Sequence, residues 1–220
     1  MTNKKIEVIN AGVGDIGIKE EMAILKESGL QLTPDIVVLS FYLNDSRPPW
    51  GFTGEVGHRG WLRSHSVLAE QLYKKLSFYK WVKDKGEDRF KWVYSINTLN
   101  WAKDPHAFKQ FGDQAKYDWG SAWETDSWKT ITPYLKELKA LSLKHNFKVL
   151  IVTFPVVYQI AADIKENTPQ LTMSELANNF NFHHLDPLPM LRLHRNQVLY
   201  FDQAHPNTLG NKLIGETISK

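Results

Sequence analysis

The stretch Pro34-Asp35-Ile36-Val37-Val38-Leu39-Ser40-Phe41-Tyr42-Leu43-Asn44-Asp45 decides the fold. From Ile36 to Phe41 it is a short, nearly continuous apolar run, the pattern of a strand buried on both faces of a parallel sheet. Upstream, Ile6-Glu7-Val8-Ile9-Asn10 alternates apolar and polar residues and stops at Ala11-Gly12-Val13-Gly14-Asp15-Ile16-Gly17, which reads as a strand feeding a Gly-rich loop. A helix is expected next, because Ile18, Met22 and Leu25 share one face and Gly29 is a natural stop. Strand, helix, strand in this order indicates an α/β layer architecture with parallel strands.

Beyond Asp45 the character changes. All eight tryptophans lie between Trp50 and Trp128, and helix-like pieces around 66–76 and 89–101 are separated by Gly, Asp and Pro. Residues 46–121 therefore read as a helical, Trp-rich insertion on the loop side of the sheet. Trp50 and Trp61, with Arg47, His58 and Arg63, offer a lid or platform for a sugar or acyl group. The simpler reading makes the aromatics the insertion's own small core. The α/β rhythm returns with Tyr134, Leu135, Leu138 and Leu141 on a helix that begins or kinks at Pro133. Next come the strand Lys148-Val149-Leu150-Ile151-Val152-Thr153-Phe154, a helix over 169–178 capped by Thr168, and a short last strand at Phe182-His183-His184-Leu185-Asp186. Leu209, Leu213 and Ile214 give the closing helix its apolar face.

Composition narrows the function classes. A chain of 220 residues suits one domain with a sizeable insertion. The net charge is +3 with acids and bases interleaved, which is no nucleic-acid footprint. With no cysteine, thiol catalysis, thiolate metal sites and disulfides are excluded, and the redox compartment stays open. No apolar run reaches the roughly 18 residues of a membrane span. Met1-Thr2-Asn3-Lys4-Lys5 does not lead into the apolar region of a signal peptide, and localisation is left open.

The chemistry concentrates in Tyr200-Phe201-Asp202-Gln203-Ala204-His205-Pro206-Asn207. A histidine accepts a proton productively when its ring is held in one tautomer and its imidazolium is stabilised, and an acid three residues earlier can do both. The plainer alternative is a surface turn in which Asp202 caps the helix beginning near Thr208. Ligands of open α/β sheets bind beyond the carboxyl ends of the strands, where Gly12, Asn44 and the Asp202/His205 turn converge. A glycine N–H and an asparagine amide suit an oxyanion that develops during acyl transfer.

Taken together, Val8-Ile9-Asn10-Ala11-Gly12, Tyr42-Leu43-Asn44-Asp45 and Asp202-Gln203-Ala204-His205-Pro206-Asn207 resemble the second, third and fifth conserved blocks of the SGNH hydrolases, the GDSL esterase/lipase family. The resemblance covers both ends of the chain and not the insertion. It implies a three-layer α/β/α sandwich around a parallel, flavodoxin-like sheet of about five strands. It further implies Gly12 and Asn44 as oxyanion-hole donors, His205 as general base and acid, and Asp202 as its orienting partner. The substrate would be a carboxylic ester, acetyl or short acyl, of a carbohydrate or lipid, and neither metal nor organic cofactor would be needed.

One block departs from the pattern. The family's nucleophile lies in a Gly-Asp-Ser block after the sheet's first strand, and nothing before Ile6 can supply it. The chain is thus expected to lack that strand, by truncation or evolutionary loss, and to be inactive as it stands. The missing strand belongs between Ile6-Asn10 and Ile36-Phe41, so two rows of unpaired backbone groups should face each other about 9 to 10 Å apart. Such a chain should fold poorly, re-pair those strands or borrow a strand from another molecule. Ser40 and Ser46 lie near the site but outside the nucleophile position.

Other readings compete. A scaffold that has lost its nucleophile could bind acylated glycans without turnover. Gly12-Val13-Gly14-Asp15-Ile16-Gly17 also fits the G-x-G-x-x-G of dinucleotide sites, although Asp35 precedes the next strand and Asp45 follows it too late to hold a ribose. His183 and His184 with Asp186 invite a metal, yet neighbouring strand residues point to opposite faces, and Asp186 better satisfies the turn at Pro187.

Overall fold

The structure is a computed structural model that describes residues 6–14, 16–45, 47 and 61–218. The elements are α1 (Ile18–Glu27), β1 (Ile36–Tyr42), α2 (Trp61–His65), α3 (Val67–Ser95), α4 (Pro105–Gln114), α5 (Thr125–His145), β2 (Lys148–Phe154), α6 (Val157–Ala161), α7 (Thr168–Asn179), β3 (His183–Leu185), α8 (Leu188–Leu193) and α9 (Thr208–Ile218). The strands form a parallel sheet in the order β1-β2-β3, with Ile36 opposite Lys148 and Leu150 opposite His183. The chain is therefore a mixed α/β protein built on a small three-stranded parallel sheet.

Alternation along the strands sorts the core into two parts. Leu39, Phe41, Val149 and Ile151 face a cluster with Ile18 and Met22 of α1, Ile131, Leu135 and Leu138 of α5, and Met173 and Ala177 of α7. Val152 and Phe154 face the other way, against Ile160 of α6, Leu188 and Leu191 of α8, Leu199 and Tyr200 of the loop before α9, and Ile214 of α9.

Two strand expectations fail. Residues 6–10 form no strand, and Ile6 and Val8 are exposed. Their alternating pattern remains, but a strand needs a ladder partner, and among the described residues nothing pairs with the outer edge of β1. Nor is β1 buried on both faces. Leu39 and Phe41 are buried, whereas Ile36 is 59% exposed and Val38 48%, because among the described residues no helix covers that face of β1 at these two positions.

The tryptophans also depart from expectation. Trp92, Trp119 and Trp128 belong to the α1/α5 side of the main core and form no separate core of the insertion. Trp119 meets Phe111 at 5.1 Å and Tyr158 at 5.5 Å between ring centroids, which joins the insertion to α6, just after β2. The helical pieces foreseen around 66–76 and 89–101 are joined in α3, which runs unbroken through Gly86 from an N-cap at Ser66 and ends at Ser95, leaving 96–101 as turns. A glycine inside a helix costs about 1 kcal/mol, too little to end a 29-residue helix anchored at Trp92. Helix α5 likewise starts at Thr125 and passes through Pro133. The cap of α7 falls on Asn167, one residue before Thr168.

Candidate functional site

The carboxyl ends of β1 and β2 and the loop before α9 meet at one place. The loop is stapled at both margins. Tyr200 bridges Pro206 in antiparallel fashion, the Phe201 N–H donates to the His205 carbonyl at 2.9 Å, and the Tyr200 hydroxyl donates to the Pro155 carbonyl at 2.8 Å. The Val157 N–H donates to the Gln203 carbonyl at 2.9 Å, which ties the loop to the end of β2. Asn207 does double duty. Its Nδ2 donates to the Val198 carbonyl at 2.7 Å, and its Oδ1 accepts the Gly210 N–H at 3.0 Å, satisfying one of the open donors of α9.

Inside this loop Asp202 and His205 are paired. His205 Nδ1 lies 2.8 Å from Asp202 Oδ2 and 3.0 Å from Oδ1. Asp202 Oδ1 also accepts the N–H groups of Ala204 and His205, each at 2.9 Å. Partial burial pulls the Asp202 carboxyl upward, but those two amides and the imidazole outweigh it and hold the group below its ordinary value. An ionised Asp202 accepts Nδ1–H and leaves the lone pair on Nε2, the tautomer a general base requires. Asp202 therefore turns inward to its own loop rather than capping α9. The His205 side chain is 68% exposed.

Tyr42 and Tyr158 complete the surroundings, and neither stood out in the sequence. The Tyr42 ring, at the end of β1, lies 6.1 Å from the His205 ring and stacks on Phe154 at 4.6 Å. Burial raises the Tyr42 hydroxyl, with Asp45 and Asp202 adding to it. Tyr158 is pushed up to about 12 by burial and then by Asp118 and Asp202. Both phenols stay protonated at neutral pH. Behind them Asp45 is buried, accepts the Tyr42 N–H at 2.6 Å and is raised well above the usual carboxylate range by burial and by Glu21.

The other named residues divide by position. Asn44 is exposed in the turn two residues beyond Tyr42, on the same strand end as the dyad. Gly12 is exposed, and its N–H donates to Asn10 Oδ1 at 2.9 Å, a bond within its own segment. No described hydrogen bond or ring contact links Gly12 to Asn44 or His205. Ser40 shares the strand face of Tyr42 but sits one pleat repeat back, about 7 Å along β1. No described hydroxyl bonds His205 Nε2. Ser46, Trp50 and His58 lie outside the described residues, as does Asp15 of the Gly-rich loop. Arg47 pairs with Glu124, and Arg63 pairs with Glu70 at 2.9 Å and covers the Tyr73 ring.

The Gly-rich loop has a packing reason instead of a phosphate. A Cβ at Gly17 would stand 2.7 Å from the Arg47 carbonyl oxygen and 2.9 Å from that of Asp45, and the Ile18 N–H donates to the Asp45 carbonyl at 3.1 Å. With no strand at 6–10, the strand-loop-helix context of a dinucleotide site is absent from these residues. His184 engages Thr153 Oγ1 at 2.9 Å while His183 is exposed, so the two imidazoles diverge. Asp186 Oδ1 accepts the Leu188 N–H at 2.9 Å and thereby opens α8 after Pro187.

Comparison with known proteins finds no match to the chain among family models, curated proteins or solved structures.

Proposed function

We propose that the Asp202-His205 loop is the base half of an SGNH-type serine ester hydrolase site, acting on an acetyl or short acyl ester of a carbohydrate or lipid. The observation that carries this reading is the pairing of His205 Nδ1 with an ionised Asp202 at 2.8 Å, at the carboxyl end of a parallel sheet. In the reaction, a serine hydroxyl attacks the ester carbonyl while His205 Nε2 takes its proton. The collapsing tetrahedral intermediate then receives that proton on the leaving alcohol oxygen, and water repeats the cycle to release the acid. The Asn44 amide and the Gly12 N–H are the proposed oxyanion donors, and Gly12 must exchange its Asn10 partner to serve.

The serine would sit on a further strand paired to the open edge of β1, in the finer three-layer, flavodoxin-like arrangement that this reading requires. Without it the 220-residue chain should not turn over short-chain aryl esters and should not label with a fluorophosphonate. Fusion of a strand ending in Gly-Asp-Ser ahead of Ile6 should produce both signals, and His205→Ala in the fusion should lower kcat by about 10³-fold or more. Serine-dependent hydrolysis by the chain alone, or a fusion whose activity ignores His205→Ala, overturns the reading. A second reading, a non-catalytic binder of acylated glycans, draws on the lack of any described hydroxyl at Nε2. It predicts glycan binding without turnover in both proteins.

A further inference from the structure

Helix α3 carries an apolar stripe that faces away from the protein. Trp92 and Ser95 bury one side of its C-terminal half beside α4. On the opposite side Leu68, Leu72, Leu76, Tyr79 and Val82 recur every three or four residues, and all five are exposed. At about 1.5 Å per residue the whole helix is some 44 Å long, longer than a bilayer's hydrocarbon core is thick. It is too polar to cross one: among the described residues no helix is long and apolar enough to span a membrane.

The charges on this segment say what covers it. Residues 61–83 contain five cations, Arg63, Lys74, Lys75, Lys80 and Lys83, against the single acid Glu70. Glu70 is occupied by Arg63 at 2.9 Å and approached by Lys74 at 3.7 Å. By helical spacing Lys75 and Lys83 fall within the apolar stripe. Leu68, Leu72 and Phe78 line one open groove together with Lys74 and Lys75. A second copy packed on this stripe would bring two sets of lysines into one seam. A helical protein partner would have to bury their ammonium groups. At a lipid surface the lysine stems lie among the acyl chains while the ammonium groups reach back to anionic headgroups.

We propose that the exposed stripe of α3 lies in the interface of a bilayer containing anionic lipid, held by its leucines and by Lys75 and Lys83. The proposal is independent of the esterase reading and survives its failure.

Flotation of the full chain with vesicles tests it. Vesicles with about one third phosphatidylglycerol in phosphatidylcholine should bind at least about tenfold more strongly than pure phosphatidylcholine, and about 0.5 M salt should weaken that binding. Two double variants address the two components: Lys75→Glu with Lys83→Glu, and Leu72→Ser with Leu76→Ser. Each should cost at least about tenfold in partitioning with an unchanged thermal midpoint, since the leucines are exposed and the lysines lie on the same outer face. Equal or absent binding to the two vesicle types overturns the proposal, as do variants that bind like the parent. So does a dimer, seen by sedimentation without vesicles, that the leucine variant splits, for then a second copy covers the stripe.

Discussion

Glu21 is the residue whose behaviour departs most from its sequence context. It lies among Lys19, Glu20 and Lys26, where a solvated helix face is the natural reading. In the fold it turns toward Asp45, and its buried Oε2 has no hydrogen-bond partner. Burial first, and Glu20 second, push its carboxyl from 4.5 up to about 7. The folded state thus holds this proton more tightly than the unfolded chain does. Its contribution to stability is complete below about pH 4.5 and is lost as the pH rises through about 7. Urea unfolding should show stability falling across that window. Glu21→Gln should flatten the fall and stabilise the protein at pH 8 by about 1–2 kcal/mol. A variant with the parent's pH slope would show that the carboxyl is hydrated after all. No sequence pattern could reveal this, because the pairing with Asp45 depends on how α1 docks at the end of β1.

At the scale of elements, α9 holds the Asp202-His205 loop by direct backbone contact. A Cβ at Gly210 would stand 2.3 Å from the Leu199 carbonyl oxygen, so helix and loop approach as closely as only glycine permits. Gly215, in the same helix, has nothing within 4 Å of its Cβ position. Gly210→Ala should cost about 2–4 kcal/mol in thermal or urea unfolding. Gly215→Ala should instead gain up to about 1 kcal/mol from helix propensity. Equal effects at the two sites would mean that the close approach is absent in solution. Elements with a local signature were legible beforehand. The apolar run ending at Pro155 marks β2 to the residue, Gly29 and Leu25 bracket the end of α1, and the Asp202-x-x-His205 spacing makes its own pair. Elements that depend on a distant partner were not legible. The alternation at 6–10 has the strand period but no ladder. The length of α3 is decided by the docking of Trp92, which overrides Gly86. Tyr42 and Tyr158 join the site only because β1 and β2 lie side by side.

At the scale of the whole molecule, the outer edge of β1 is an unfinished boundary among the described residues. Ile36 and Val38 are exposed beside a row of backbone donors and acceptors that no described strand engages, and Ile6, Val8 and Ile9 are exposed as well. Edges of this kind template pairing with other chains, and natural sheets guard them with charge, proline or cover. Ile36-Val37-Val38-Leu39 carries none of these guards. Concentration-dependent self-association is therefore expected. Val38→Lys should slow it several-fold by light scattering, with little loss of stability since Val38 is half-exposed and the ladder to Leu150 uses the other edge. The substitution also separates two uses of the edge. If the nucleophile-bearing strand of the proposed hydrolase pairs there, Val38→Lys should lower ester hydrolysis by the Gly-Asp-Ser fusion while leaving the Asp202-His205 pair untouched. If association proceeds at the parent's rate in the variant, the contacts lie elsewhere on the surface, and β1 is not the edge that a further strand completes.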